Sequence, residues 1–131
     1  MSNPDFLCRR ANRYYLTSVH AYNNGFYDVS YFLCVTSLEL LIKATLLLHG
    51  IDYKYTHNLR MLLSKFNDED LNEFVKVHRK ELDKLSKARK ITSYSDIDID
   101  SNEVYECLTF VDEFFKLFKD SWNGRECLWR T

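Results

Sequence analysis

Apolar residues recur at helical spacing along most of this chain. In the first segment Leu7, Ala11, Tyr14, Tyr15 and Tyr22, with Ser18 between them, predict a helix over 4–23. Asn3 is placed to cap it, and Pro4 at the first helical position already has the φ that a helix needs. Asn23, Asn24 and Gly25 should end it, Gly25 supplying the left-handed residue past the cap. A second helix is predicted over 26–49, stopped by Gly50. One of its faces carries Phe26, Val29, Leu33, Leu40, Ala44 and Leu48, while Tyr31, Val35, Leu38, Ile42 and Leu46 cover much of the rest. A helix apolar nearly all round is a buried one, so this helix is expected at the centre.

Residues 51–55 read as a loop. Thr56 is then expected to cap a short helix with Leu59, Leu62, Leu63 and Phe66 on one side. Asn67 is expected to cap a fourth helix, with Asp68, Glu69 and Asp70 at its positive end and the stripe Leu71, Phe74, Val75, His78, Leu82 and Leu85. Residues 91–100 read as irregular. Asp100 and Glu103 have capping-box spacing and open a fifth helix that runs to about Ser121, followed by a tail over 122–131. This last helix carries two adjacent apolar stripes. Val104, Cys107, Leu108, Val111, Phe115 and Phe118 form one; Phe110, Phe114 and Leu117 form the other. Either it lies between two neighbours of its own chain, or the second stripe meets a partner. The pattern thus predicts a single all-α domain over 1–131, an up-and-down bundle of four to five helices with its core over 4–121.

Composition agrees with that reading. The 131 residues are 46% hydrophobic and 15% aromatic, which excludes a disordered chain. One proline and three glycines occur, where average usage gives about 6 and 9; a many-stranded fold would need more turn residues. The net charge of −1 excludes a polycationic coat for nucleic acid. The order of the charges changes that picture locally. Residues 76–90 hold seven bases against two acids, and residues 91–106 hold five acids and no base. A helix with cations at its negative end, followed by an acidic cap, accounts for both runs. An anion site at the basic end of the fourth helix, for phosphate or RNA, is the functional alternative.

Cys8, Cys34, Cys107 and Cys127 are far apart in sequence and form no CxxC pair. They read as free thiols, some of them packed in the core, and their spacing offers no zinc site. Residues 1–20 lack the apolar run of a secretory signal, and the apolar stretch Leu38–Leu48 is interrupted by Glu39 and Lys43. A cytoplasmic protein with no membrane contact is the expectation.

Glu39 and Lys43 are one turn apart on the most apolar helix, and His57 follows Thr56. Buried charges need partners, so a mutual ion pair is one account of the first two; Lys43 on a nucleotide phosphate is the other. For His57 the alternatives are a structural hydrogen bond or an anion contact. Asp96, Asp98 and Asp100 alternate as metal-binding aspartates can, but no phosphate loop or sheet accompanies them, and a loop is expected.

The run Gly25-Phe26-Tyr27-Asp28, then Leu38-Glu39-Leu40-Leu41-Ile42-Lys43-Ala44, then Gly50, then Thr56-His57-Asn58-Leu59 with Leu62-Leu63 resembles the HEPN domain (higher eukaryotes and prokaryotes nucleotide-binding). That family's pattern is a short G-x-Y opening, an A-x-E-x-x-x-K-A helix, a glycine, and T-H-[DN]-L-x-x-L. Ser37 stands where the helix usually has alanine. The resemblance implies a helical bundle, usually a homodimer. It also implies one of three roles: a nucleotide- or RNA-binding module, a partner of a small nucleotidyltransferase in a toxin–antitoxin or defence pair, or a metal-independent endoribonuclease. Ribonuclease members carry an arginine shortly before a histidine on a later helix. Here only Arg13 and His20 have that spacing, and they lie on the first helix. Many members also carry R-Y-P-D before the last helix. Ser93-Tyr94-Ser95-Asp96 matches it at Tyr94 and Asp96, with Arg89 or Lys90 as substitutes for the missing charge. The expectation is therefore a binding or docking module at Glu39, Lys43, His57, Arg89, Lys90, Tyr94 and Asp96, without a cofactor. An endoribonuclease toxin using Arg13 and His20 and a purely structural adaptor are the alternatives.

Overall fold

The computed structural model of the chain describes residues 3–53, 56–88, 90, 92, 98–123, 125 and 127. Helix α1 (Pro4–Asn23) starts as its sequence predicts: the Asn3 side chain accepts the Asp5 and Phe6 backbone N–H groups at 2.8 and 3.3 Å. Helix α2 is Tyr27–Leu48. Both end in the same way. Gly25 and Gly50 have φ of +79° and +71°. The N–H groups of Gly25 and Phe26 reach the Tyr22 and Ala21 carbonyls, and those of Gly50 and Ile51 reach Leu47 and Leu46. This six-residue closure satisfies the last carbonyls and needs a residue without Cβ strain at its turning point.

Helices α1 and α2 form an antiparallel hairpin held by small polar residues. Ser18 Oγ donates to the Ser30 carbonyl at 2.6 Å and Ser30 Oγ donates to the Ser18 carbonyl at 2.7 Å. Further along, Ser37 Oγ donates to the Ala11 carbonyl at 2.9 Å. All three hydroxyls are buried, and such short side chains let the two backbones approach closely.

Three short helices follow, α3 (Leu59–Ser64), α4 (Glu69–Val77) and α5 (Arg79–Ser86), and then α6 (Ser101–Leu117) with a 3-10 turn at Lys119–Trp122. No strand occurs among the described residues. Ring contacts pair Phe66 with Phe118, Phe74 with Phe114 and His78 with Phe110, so the stretch through α4 runs antiparallel to α6. Cys34 meets Cys107 and Thr45 meets Trp122, so α6 runs parallel to α2. The chain thus goes down, up, down and up around α2, the all-α bundle that the periodicity predicts.

Several local expectations are corrected. The cap of α3 is Asn58, whose side chain accepts from the Met61 N–H; Thr56 lies two residues too early. The cap of α4 is Asp68, which accepts from Leu71 N–H, while Asn67 takes a left-handed φ of 53° just before it. The predicted fourth helix is two, because the ladder breaks at His78, whose ring packs on Phe74 and Phe110. The last helix stops at Leu117 and tightens into the 3-10 turn. Of its second stripe, Phe110 and Phe114 are buried against Phe74 inside the monomer, and only Leu117 is exposed. The α2 face led by Phe26 and Val29 is the less buried one; the face with Tyr31, Leu38, Ile42 and Leu46 is the core. By length and composition α2 could cross a membrane, and most of it is buried within the bundle.

All of the buried polar side chains on α2 are paired. At its far end Thr45 Oγ1 donates to the Leu41 carbonyl at 2.8 Å and accepts from Trp122 Nε1 at 3.0 Å. Thr45→Val keeps the shape and leaves a buried indole N–H without its acceptor. We expect a loss of about 1–3 kcal/mol in urea denaturation. Thr36→Val, whose hydroxyl bonds the Phe32 carbonyl of its own helix, should cost less than about 0.5 kcal/mol.

Candidate functional site

One carboxylate organises the site. Glu39 sits mid-way along α2, only 7% exposed. Its Oε2 accepts from Lys43 Nζ at 3.1 Å and is 2.8 Å from His57 Nδ1. The first contact follows from the i, i+4 geometry of a helix. The second does not: it requires the loop after Gly50 to carry His57 back across α2. Tyr53 in that loop lies under the Lys43 ammonium, 5.2 Å from ring centroid to nitrogen. A carboxylate accepts, so His57 donates from Nδ1, and its Nε2 has no partner among the described residues. The His57 side chain is 64% exposed and that of Lys43 13%. Glu39 therefore anchors an ammonium that is largely buried and an imidazole at the surface.

His57 lies just before the short helix α3 rather than in its first turn. Thr56 Oγ1 accepts the Asn58 N–H at 3.1 Å, which fixes the approach to that helix. Two residues beyond His57, Leu59 N–H donates to Ser86 Oγ at 3.0 Å, and Arg60 Nε donates to Asp83 Oδ1 at 2.6 Å. These contacts bring the C-terminal end of α5 against the same loop. Lys87 and Lys90 follow Ser86 and are exposed. Two features that are distant in sequence thus share one region: the Glu39–Lys43–His57 cluster and the basic end of α5.

A family model described as the HEPN domain matches residues 5–122. The chain belongs to the HEPN domain family. No curated protein and no solved structure matches it. In this HEPN domain the matching Glu, Lys and His positions are the ones that the fold gathers. The other candidates are placed differently. Arg13 and His20 are both exposed on α1 and make no polar contact with the cluster. Ser18 faces Ser30, so His20 falls beside the start of α2, about 16 Å along that helix from Glu39. Arg89, Tyr94 and Asp96 lie outside the described residues. Asp98 is exposed, Ile99 is buried and Asp100 caps α6 by accepting the Glu103 N–H at 2.9 Å. Among the described residues no group of three or more His, Cys, Asp or Glu side chains could hold a metal ion.

A separate cleft of about 610 Å³ opens at the other side of the α2 end, lined by His49, Phe66, Asp68, Asp70, Asp120 and Ser121 among others. Its three carboxylates repel a phosphate. Tyr53 was the site residue that sequence reasoning missed. An aromatic two residues past a helix-ending Gly-Ile pair has no spacing rule that would reveal its partner.

The Glu39 carboxylate should dominate the energetics of the cluster. Glu39→Ala leaves the Lys43 ammonium largely buried and unpaired, and we expect a loss of about 3 kcal/mol in chemical denaturation. Replacing both Glu39 and Lys43 by leucine should recover most of it. His57→Ala, at the surface, should cost less than about 1 kcal/mol.

Proposed function

We propose that this HEPN domain is a binding module for a nucleotide or RNA phosphate, held by Lys43 and His57 with Glu39 as their common anchor. The single observation that carries this reading is the pair of contacts to one Glu39 oxygen, which positions an ammonium and an imidazole side by side where the loop before α3 meets solvent. A phosphate oxygen accepts from both groups, and charge-assisted bonds of this kind are the strong ones. Lys87 and Lys90 at the end of α5 extend the positive surface along which a polyanion would lie. The Arg13–His20 spacing stands apart from this site, and residues 50–56 ahead of His57 hold no arginine, so binding is favoured over ribonuclease chemistry.

Homodimerisation and docking to a small nucleotidyltransferase, as in a cytoplasmic toxin–antitoxin or defence pair, belong to the same reading. They are supported by the family and by the exposed Phe26 and Val29 on the less buried face of α2.

Calorimetry with mononucleotides and short single-stranded RNAs at two salt concentrations tests the proposal. Heat of binding should be present, weaker at high salt, and lost in Lys43→Ala and reduced in His57→Ala, with Arg13→Ala and His20→Ala unchanged. The absence of heat for every ligand sinks the phosphate reading. Cleavage of RNA that depends on Arg13 and His20 replaces it with the endoribonuclease.

A further inference from the structure

The three groups of the Glu39 cluster lie at different depths. The side chains of Glu39 and Lys43 are 10% and 13% exposed, whereas that of His57 is 64% exposed. The Tyr53 ring packs on the Lys43 ammonium from 5.2 Å. The ammonium is thus set below the surface, with the imidazole beside it at the rim. Depth selects among phosphates. A phosphate inside an RNA strand carries a ribose on either side, and both sugars meet the surface before its two free oxygens reach a sunken donor. A phosphate at a strand end carries one ribose and projects three free oxygens.

We propose that the cluster reads the end of an RNA strand: Lys43 and His57 take a terminal phosphate monoester, and the phosphates that follow it run along Lys87 and Lys90. This rests on the phosphate reading of the site and narrows its ligand from any phosphate to a strand end. The contacts around the loop give the strand its path. Leu59 N–H donates to Ser86 Oγ at 3.0 Å and Arg60 Nε donates to Asp83 Oδ1 at 2.6 Å, which ties the loop to the end of α5. The exposed Lys87 and Lys90 follow directly from that tie and are placed to meet the next phosphates.

The hydrogen bonding of His57 favours the same ligand. Its Nδ1 donates to Glu39 Oε2 at 2.8 Å, so in the neutral ring Nε2 is an acceptor. Against a phosphodiester that lone pair meets only oxygen lone pairs, and a proton has to come from solvent to join them. A monoester has a second ionisable hydroxyl, whose proton leaves at about pH 6. It therefore brings to Nε2 the proton that the contact needs. Whichever atom holds it, that proton lies between the imidazole and a phosphate oxygen, and the Glu39 carboxylate on the other ring nitrogen steadies the positive form. Lys43 Nζ, 3.1 Å from the same Glu39 oxygen, donates to a second phosphate oxygen.

The test is calorimetry of the full chain with one short single-stranded RNA prepared with a 5′ phosphate, with a 3′ phosphate, or with hydroxyls at both ends. A monoester form should bind about tenfold tighter than the hydroxyl form, and the tighter of the two marks the end that is read. Converting that phosphate to its methyl ester keeps its position and one charge but removes the second hydroxyl, and should lose most of the gain. Lys43→Ala should erase the gain and His57→Ala should reduce it; His57 is at the surface, so that variant decides if Lys43→Ala fails to fold. Lys87→Ala combined with Lys90→Ala should weaken every form by the same factor and flatten the salt dependence. Equal affinity for all forms, with binding still dependent on Lys43 or His57, overturns the strand-end inference and leaves the phosphate site standing. A gain that the methyl ester keeps in full, or that survives both Lys43→Ala and His57→Ala, also overturns it. No heat for any form removes the inference and the phosphate site together.

Discussion

Helix α2 is apolar nearly all round, so each polar group it carries must find a partner inside the protein. That constraint shapes the rest of the bundle. A buried hydroxyl or carboxylate without a partner is costly. Ser30 and Ser37 are answered by α1, Thr45 by the indole of Trp122, and Glu39 by Lys43 and His57. Each of these contacts names a neighbour. The hydrophobic effect alone would pack α2 against any apolar surface; the polar contacts select which element lies along which side.

The same constraint produces the site. A carboxylate on a central helix would be a liability unless a cation and a hydrogen-bond donor accompany it. One cation comes from the next turn. The donor comes from a loop that the Gly50 closure turns back over the helix. The result holds Lys43 and His57 side by side on one carboxylate oxygen. The HEPN family match covers this helix and this loop together.

Much of the fold was legible in the residues. Asn3-Pro4, Gly25, Gly50 and Asp100 marked helix ends correctly, because caps are local chemistry. Glu39 and Lys43 were legible as candidates because charges in an apolar run demand explanation, and His57 because it follows Thr56 at the approach to a helix. The break at His78 was not legible. The periodicity runs straight through it, and only the packing of its ring on Phe74 and Phe110 accounts for where it lies. The second stripe of α6 was readable as apolar but not as internal, since a stripe does not say what covers it.

The sequence by itself determined the elements: helical periods, capping residues and the poverty of turn residues leave an all-α domain with α2 at its centre. It also determined that Glu39 and Lys43 would meet, because four residues make one helical turn. Tertiary structure alone decided that His57 would share the Glu39 oxygen, that the end of α5 would lie against that loop, and that Cys34 would meet Cys107. The physical reason is range. Backbone hydrogen bonds and side-chain spacing act within a few residues, whereas those meetings depend on which helix faces satisfy α2, and that is settled only when the whole core closes.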